Sequence, residues 1–466
     1  MIKRALTLIL VTVLLTSCAF VPKDKLEAEP NIPGSHGEKL EETDPATETP
    51  DCSIIDPVIA ETDPVESDIY ETEQEEPPSP ETDKPVDSPD IPYLSVPAAD
   101  DVNDAVTVFS EVIYKNIISH SEKYENVIFS PISVIYALSL TGNGALDETY
   151  GEFADLFGGI GPKELNGYLG DLDSQLSSTE KSIVKIGNAI WVNGESGESS
   201  LSDDYLLVAD RYYSAKVEEL PFDETAEELM NEWVKEKTNG MIDKAVENLD
   251  PDLVMLLMNT VLFDGKWSES FEEERTVDGI FYNYDGTEST ASYMRSTEMY
   301  SYISLEGAEG IYKYYSDGYK FIAILPEGDI NEFISGMDIG EIIKKSGYGD
   351  TTEIKLSLPR FEYKSSVNLN EILAGMGLKR AFSGDAQFGG LFKDDGRSVY
   401  ISNVSQKAKI IMNESGTKAA AYTEVEMPEC EFNYVELNFN RPFFYMIIDK
   451  DGTPLFLGTI YTFAEE

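Results

Sequence analysis

The stretch Glu414-Ser-Gly-Thr-Lys-Ala-Ala-Ala-Tyr-Thr-Glu-Val-Glu-Met427 alternates like a β-strand but leads into chain with the composition of a loop. Every second position from Thr417 to Met427 is small or apolar, and most positions between them are bulky or charged, which is the two-residue period of a half-buried strand. Gly416 supplies a hinge, and residues 428–431, Pro-Glu-Cys-Glu, have the composition of exposed chain. The pattern therefore predicts a segment that can be either an exposed loop or an inserted strand.

The chain has 466 residues, of which 41% are hydrophobic, so it can bury a large core. This length allows one large domain with accessory segments, or two to three domains of ordinary size. Shifts in composition divide the chain into three parts. We assign them as a signal peptide over residues 1–17, a tether over residues 18–100 and a folded domain over residues 101–466.

Residues 1–17 have the composition of an export signal. Lys3 and Arg4 precede an apolar run over residues 5–15, and Ser17 directly precedes Cys18. The pattern resembles a bacterial lipoprotein signal, in which the cysteine is diacylated and becomes the mature N-terminus; the alternative is an ordinary secretory signal with a chance cysteine. The apolar run is too short for a stable membrane span. We therefore expect an exported lipoprotein, anchored to the membrane by lipid on Cys18, on the extracellular face of the cell envelope.

Residues 18–100 have the composition of a disordered acidic spacer. From residue 19 to residue 100 there are 14 Pro, 23 Asp plus Glu and four Lys, a net charge of −19. Such a chain cannot bury enough apolar surface to fold. As a flexible coil, about 80 residues span roughly 50 Å, so we expect a tether that holds the domain away from a membrane. Recurrent Glu-Thr-Asp/Glu pieces leave open a binding tail for a cationic partner or a cell-wall polymer.

The remaining residues, 101–466, are also strongly acidic, with 64 acidic and 29 basic side chains. Their net charge of −35 excludes a general nucleic-acid or heparin-binding surface. The three cysteines of the chain are Cys18, Cys52 and Cys430, and none lies in the predicted core. The domain therefore has no disulfide framework in spite of its predicted export, and its stability must come from packing.

The sequence carries no recognisable catalytic or metal-binding pattern. His36 lies in the predicted tether, so a Ser-His-Asp or Cys-His arrangement would have to use His120, which is in a polar Ser-His-Ser turn. We find no cluster with metal-ligand spacing, no Walker loop and no nucleotide-binding glycine pattern. We therefore expect no cofactor and no metal, and an unrelated surface enzyme is kept only as an alternative.

Periodicity predicts a mixed α+β chain with helices early and strands late. Apolar residues over 105–118 share one helical face after the cap candidates Asp101 and Asp104. Ser130, followed by a proline, starts a second helix that runs toward Gly142, and helical character fades after Ala154. Apolar runs predict two central strands covered on both faces and four further strands, the last two in a hairpin: 183–192, 253–263, 321–325, 353–358, 442–448 and 455–461.

Seven motifs follow one another in order across residues 101–466: Asn126-Val-Ile-Phe-Ser-Pro-Ile-Ser133, Asn188-Ala-Ile-Trp191, Asn259-Thr-Val-Leu-Phe-Asp-Gly-Lys-Trp267, Leu358-Pro-Arg-Phe361, Gly375-Met-Gly377 with Ala381-Phe382, Asn440-Arg-Pro-Phe443 and Leu455-Phe-Leu-Gly458. Together they resemble the serpin family over the whole of that range. The resemblance implies a serpin fold, in which early helices pack on a large central mixed β-sheet, with further sheets and an exposed reactive-centre loop.

The resemblance also implies that the loop after Glu414 is bait for a protease. In the family, the attacked loop inserts as a new central strand before the acyl-enzyme hydrolyses, and the protease is distorted. Small inward side chains favour insertion, whereas non-inhibitory members tend to carry charged or bulky residues there. The implied hinge comprises Glu414, Gly416, Thr417, Ala419, Ala420, Ala421 and Thr423. We therefore expect inhibition by suicide-substrate trapping; the alternative is a non-inhibitory serpin-fold binding protein or a simple protease substrate.

Family spacing from the hinge glycine makes Cys430 the bait and Cys430–Glu431 the cleaved bond. The chain beyond the loop is slightly longer than is common, so Glu429 or Glu431 are alternative baits. Cysteine suits an elastase-like or subtilisin-like serine endopeptidase, or a cysteine endopeptidase, and glutamate suits a glutamyl-specific enzyme. A trypsin-like target is disfavoured because no Lys or Arg lies between Lys418 and Arg441.

A sheet-opening region is implied as well, formed by Ser130, Ser133, Asn188, Gln406 and Trp267. Gln406 stands where the family commonly has a histidine, in the strand that feeds the hinge. Glutamine can both donate and accept hydrogen bonds, so we expect it to bridge to Ser130 or Ser133. The expected partners are a target endopeptidase and a membrane, and we expect a monomer.

Overall fold

The computed structural model describes residues 91–121, 124–177, 181–194, 200–242, 244–348, 351–394, 397–416 and 434–463. The predicted signal peptide, Cys18 and the tether up to residue 90 lie outside the described residues. The same holds for the loop over residues 417–433, which contains the predicted bait.

The described residues form nine α-helices and fourteen β-strands. The helices are α1 Val102–Ser119, α2 Pro131–Asn143, α3 Asp147–Leu156, α4 Pro162–Ser177, α5 Asp203–Tyr213, α6 Glu224–Lys237, α7 Ile330–Gly336, α8 Ile339–Tyr348 and α9 Asn370–Gly375. The strands are β1 Val127–Phe129, β2 Ile183–Asn193, β3 Lys216–Leu220, β4 Met255–Asp264, β5 Val277–Tyr282, β6 Glu288–Leu305, β7 Ala308–Tyr314, β8 Lys320–Pro326, β9 Thr351–Pro359, β10 Phe361–Asn368, β11 Asn403–Met412, β12 Val435–Asn438, β13 Phe443–Ile448 and β14 Pro454–Ile460.

The strands form two sheets. A five-stranded sheet has the order β10-β11-β4-β2-β3, and a nine-stranded sheet has the order β1-β14-β13-β8-β7-β6-β9-β12, with β5 paired to β6. In the five-stranded sheet β11 runs parallel to β4 and β2 runs parallel to β3, whereas the other two pairings are antiparallel. The predicted α+β class and its mixed central sheet are confirmed.

The centre of the five-stranded sheet is covered on both faces. Helix α2 contacts β2 and β4 from one side. On the other side, Met230 and Trp233 of α6 pack against Leu256 and Met258 of β4. This two-sided burial explains why β4 is an uninterrupted apolar run apart from its Asn-Thr pair. Strand β11 instead alternates between buried and half-buried positions.

Helices α1 and α2 begin where the sequence predicted them, but the sequence analysis did not predict several other helices. Asp101 caps α1 by accepting a hydrogen bond from the backbone N–H of Asp104, and α2 begins with proline directly after Ser130. Helices α4 to α9 were not predicted, so the description of helices early and strands late was too simple. The buried face of α4 does follow helical spacing, with Leu165, Leu169, Leu172 and Leu176.

The last ten residues of the predicted tether pack on the folded domain. Leu94 exchanges two hydrogen bonds with the side chain of Asn116 in α1, at 2.8 and 2.9 Å. The ring of Tyr93 stacks on His120 with centroids 3.9 Å apart. In the described part of the chain, no helix has both the length and the apolar character needed to cross a membrane.

Candidate functional site at the seam between two parallel strands

The seam between β4 and β11 is closed along most of its length and open at one end. Residues Asn403–Lys409 of β11 pair in parallel register with Leu256–Leu262 of β4. Both strands continue past this ladder, β11 to Met412 and β4 to Asp264. Their last residues are not paired with each other, so the two strands leave a gap where β11 leads toward the predicted hinge.

A tight turn over Asn413–Gly416 lies at the mouth of this gap, just beyond the last residues of both strands. The backbone N–H of Gly416 donates to the carbonyl oxygen of Asn413 at 3.1 Å, and the N–H of Asn413 donates to the carbonyl oxygen of Gly416 at 3.0 Å. Gly416 also forms an antiparallel bridge with Lys266, the second residue beyond β4. The chain has therefore already reversed at Gly416 and lies antiparallel to the extensions of both strands.

Gly416 is required at this turn by its backbone conformation and by its surroundings. Its φ is +114°, which L-residues with a side chain rarely adopt. A Cβ atom would collide with the carbonyl oxygen of Gly265 and would lie 2.7 Å from the backbone nitrogen of Trp267. The predicted hinge glycine therefore sits where only glycine fits.

Glu414 anchors the turn to the nine-stranded sheet and to the segment that precedes β5. The residue is 8% exposed. Its carboxylate accepts a hydrogen bond from the Thr276 hydroxyl at 2.7 Å and lies 3.7 Å from a guanidinium nitrogen of Arg360. Its carbonyl oxygen accepts a hydrogen bond from the N–H of Phe271 at 2.8 Å. The buried carboxylate therefore has both a hydrogen-bond donor and a positive charge as partners.

Trp267 covers the base of the same turn. Its indole N–H donates to the carbonyl oxygen of Asn413 at 3.0 Å, and its ring stacks on Tyr315 with centroids 4.2 Å apart. The ammonium group of Lys313 lies beside it, 4.7 Å from the ring centroid of Phe271 and 3.8 Å from a carboxylate oxygen of Glu298. Burial lowers the pKa of Lys313, and nearby carboxylates act in the opposite direction.

A second cluster, which we call the clasp, crosses the closed part of the seam. Gln406 lies on the buried face of β11 and is 1% exposed. Its side-chain oxygen accepts from the N–H of Ser130 at 2.8 Å, and its NH2 donates at 2.8 Å to both the carbonyl oxygen of Ser130 and the hydroxyl of Ser133. The structure thus contains the bridge expected from the sequence, to both serines rather than to one.

Asn259 of β4 completes the clasp on the other side of the seam. Its side-chain oxygen accepts from the Ser133 hydroxyl at 2.5 Å, and its NH2 donates to the Ser133 carbonyl oxygen at 2.8 Å and to the side-chain oxygen of Asn188 at 2.7 Å. Asn259 is also the register partner of Gln406 across the seam, and the Gln406 NH2 lies 3.4 Å from the side-chain oxygen of Asn259. Within the described residues, two buried atoms of this region have no hydrogen-bond partner, the Ser130 hydroxyl and the Asn188 NH2.

The structure divides the residues of the predicted sheet-opening region between these two clusters. Ser130, Ser133, Asn188 and Gln406 meet in the clasp. Trp267 lies instead beside the turn, with the predicted hinge residues Glu414 and Gly416. The other hinge residues, Thr417, Ala419, Ala420, Ala421 and Thr423, and the bait candidates Glu429, Cys430 and Glu431, lie outside the described residues.

Sequence reasoning missed four residues that hold these clusters together: Asn259, Thr276, Lys313 and Arg360. Asn259 did carry a signal, because an amide in the middle of an apolar strand must find buried partners. The other three come from distant parts of the chain and have no local pattern that marks them.

The chemistry of the described residues offers no reactive centre at the seam. Among them, no group of His, Cys, Asp and Glu side chains could hold a metal ion. Both ring nitrogens of His120 face main-chain carbonyl oxygens, those of Asn116 and Ile91, so this histidine serves the packing of residues 91–100.

Comparison with known proteins agrees with the fold. A family model described as serpin (serine protease inhibitor) matches residues 104–462. An uncharacterized serpin-like protein of Thermococcus kodakarensis is 29% identical over 380 residues, covering 77% of this chain and 84% of that protein. The native state of the thermophilic serpin tengpin has a TM-score of 0.71 and 34% identity, over 79% of this chain and 97% of tengpin.

Human thyroxine-binding globulin, solved in complex with its ligand, has a TM-score of 0.70 over 78% of this chain and 99% of the globulin. Its 24% identity shows a common fold and no more. The family model covers well over half of the chain, and the two sheets and helices are those that the resemblance implied. The chain therefore belongs to the serpin family.

Proposed function

We propose that this chain inhibits endopeptidases by suicide-substrate trapping. The enzyme attacks the loop over residues 417–433, and the cleaved loop then inserts as a new strand between β4 and β11. The observation that carries this proposal is the turn over Asn413–Gly416. In this turn Gly416 already lies antiparallel to the extensions of both strands, at the open end of their seam.

The geometry of the seam favours insertion. Because β4 and β11 run parallel, one strand of opposite direction placed between them would be antiparallel to both. Antiparallel pairing is slightly more stable per residue than parallel pairing. About 12 inserted residues with hydrogen bonds worth about 0.5–1.5 kcal/mol each, together with apolar burial, supply on the order of 10 kcal/mol.

The clasp opposes insertion until the loop is cut. An inserted strand would increase the separation of β4 and β11 from about 4.8 Å to about twice that distance. Gln406 could then no longer lie beside its register partner Asn259. The barrier to premature insertion is therefore built from buried hydrogen bonds, which are costly to leave unmade.

We further propose the bait and the location that the sequence suggests. Cys430 is the bait and Cys430–Glu431 the cleaved bond, with Glu429 and Glu431 as alternatives, and the target is an elastase-like, subtilisin-like or glutamyl-specific enzyme or a cysteine endopeptidase. Lipid on Cys18 anchors a monomer at the outside of the cell envelope, and the acidic chain up to residue 90 acts as a spacer.

The test is incubation of the full chain with endopeptidases of each of these specificities and with trypsin. A complex that survives a denaturing gel, together with release of a fragment that begins at Glu431, is the expected result. Cleavage without such a complex would overturn trapping and support the alternative of a non-inhibitory serpin-fold protein. A fragment that begins at Cys430 or at residue 432 would move the bait to Glu429 or Glu431.

A further inference from the structure

Strand β5 exposes more apolar surface than any other element in the described part of the chain. Val277, Ile280 and Tyr282 are 39%, 50% and 49% exposed, within a strand of six residues. Every other described helix or strand has at most one large hydrophobic side chain that is exposed. Single exposed apolar residues are ordinary, but their concentration on one element is typical of an interaction surface.

Ile280 and Tyr282 border a shallow pocket of about 240 Å³. Its surroundings are fixed by main-chain contacts: the Tyr293 hydroxyl donates to the Ile280 carbonyl oxygen at 3.0 Å, and the N–H of Tyr282 donates to the Asn440 carbonyl oxygen at 2.8 Å. We call the residues that line it the contact face: Gly279, Ile280, Tyr282, Tyr293, Arg295, Asn438 and Asn440.

Arg295 gives the contact face a positive charge. Its side chain is exposed and forms no ion pair with any residue that the structure describes. An exposed cation without an ion-pair partner among these residues is unexpected on a domain whose net charge is −35. A guanidinium group next to the exposed side chains of Ile280 and Tyr282 suits a partner that presents a carboxylate beside an apolar side chain.

The contact face lies next to the end of the loop. Tyr434, the first described residue after the loop, is 51% exposed, and β12 leads from it to Asn438 of the contact face. Cys430 can lie at most about 14 Å from Tyr434, and the four further residues of strand span about 13 Å. An endopeptidase of 220 residues has a radius of gyration of about 17 Å. An enzyme of that size with Cys430 in its cleft is therefore large enough to reach the contact face.

We propose that the contact face receives the rim of the attacking endopeptidase. An apolar side chain of the enzyme enters the pocket beside Ile280 and Tyr282, and a carboxylate of the enzyme pairs with Arg295. This inference rests on the proposed function, since it assumes that an endopeptidase attacks the loop. The contact face acts during encounter, so it changes the rate of attack and leaves the later partition between trapping and release unchanged.

The test compares full-length variants with two enzymes, one subtilisin-like and one glutamyl-specific. Arg295→Glu and Ile280→Ser change the contact face. Arg211→Glu and Leu207→Ser are matched controls on α5, where both residues are exposed. The second-order rate constant for cutting the loop is measured by mass spectrometry, alongside that for a synthetic peptide of residues 417–433.

With at least one enzyme we expect both contact-face variants to be cut at least about fivefold more slowly than the wild type. The control variants should be cut at the wild-type rate, and the ratio of trapped to released product should not change. The effect of Arg295→Glu should shrink as ionic strength rises, because salt screens exposed charges.

Equal rates for the contact-face variants and the wild type, with each enzyme that cuts the loop, would overturn the proposal. A wild-type dimer that Ile280→Ser converts to a monomer would also overturn it, because the face would then bind a second copy of the chain. Cleavage without trapping would overturn the proposed function alone. The cleavage rates of the variants would still test whether the contact face binds the enzyme. Failure of both enzymes to cut the loop would overturn both.

Discussion

The side-chain amide of Gln406 pairs with both main-chain groups of Ser130, accepting from its N–H and donating to its carbonyl oxygen, each at 2.8 Å. This pairing joins β11 directly to Ser130, the residue that precedes the first turn of α2. A single side chain therefore satisfies a backbone donor and a backbone acceptor that are fully buried.

Gln406→Met should lower the free energy of unfolding by about 3 kcal/mol, because the buried N–H of Ser130 loses its partner, and the Ser130 carbonyl oxygen and the Ser133 hydroxyl each lose one donor. Urea denaturation of the full chain measures this change. Lys407→Met is the control, because Lys407 is the next residue of β11 and lies on its other, half-exposed face. Equal stability of the two variants would contradict the role given to the clasp.

Ser130→Ala and Ser133→Ala should change stability in opposite directions. The buried Ser130 hydroxyl has no partner among the described residues, so its removal should raise the free energy of unfolding by up to about 1 kcal/mol. The Ser133 hydroxyl donates to Asn259 and accepts from Gln406, so its removal should lower the free energy of unfolding by about 1–3 kcal/mol. Thermal and urea unfolding compare the pair, and a change of the same sign in both would count against this account.

Gly416→Ala should impair trapping, because a Cβ atom collides with the backbone of Gly265. The turn must shift, and the fraction of loop cut without complex formation should rise severalfold. Gly159→Ala is the control, since Gly159 also has a positive φ, +93°, but has no atom within 4 Å of the added Cβ. The fractions of trapped and released product on denaturing gels decide the matter; an unchanged ratio for Gly416→Ala would show that the turn is not needed.

Thr417→Arg should convert the chain from an inhibitor into a substrate. A charged side chain at the first inward position would have to be buried as the loop inserts, and an unpaired buried charge costs several kcal/mol. Lys418→Arg, at the neighbouring outward position, is the control. Cleavage of Thr417→Arg at the wild-type rate without complex formation is expected, and an undiminished yield of complex would refute insertion.

Lys313→Met should stabilise the chain at neutral pH. Burial lowers the pKa of Lys313 below its ordinary value of 10.5, so the folded state binds fewer protons than the unfolded state just below that value. Wild-type stability is therefore lost as the pH falls from 10.5 toward the folded-state pKa. The advantage of the variant should shrink as the pH rises from 7 toward 10.5. Lys355→Met, at an exposed position, is the control variant in the same denaturation curves.

Local patterns predicted the parts of the fold that depend on periodicity. The two-sided burial of β4 and the proline start of α2 both follow from residue spacing. The sequence also singled out Gly416 as a hinge, because a glycine precedes a run of small residues; its positive φ is one that favours glycine, and the hinge role stays a prediction. What the sequence could not supply was the pairing of distant residues.

Glu414 illustrates that limit. Its partners Thr276 and Arg360 come from the start of β5 and the end of β9, which only the folded sheets bring together. The position of Trp267 illustrates it as well. The residue was grouped with Ser130 and Gln406, but it follows Asn259 by eight positions, and extended chain carries it to the other end of the seam.

The closed turn at Gly416 has a kinetic consequence. Forming a hairpin from free chain requires closing a loop, and the entropy of that step normally slows the first contact. In the proposed insertion, the first antiparallel bridges would already exist before any bond is cut, so strand addition would start from a formed nucleus. The slow event is then the parting of β4 from β11. Its rate should rise steeply with temperature, as unfolding rates do, and should be nearly independent of the length of the cut loop.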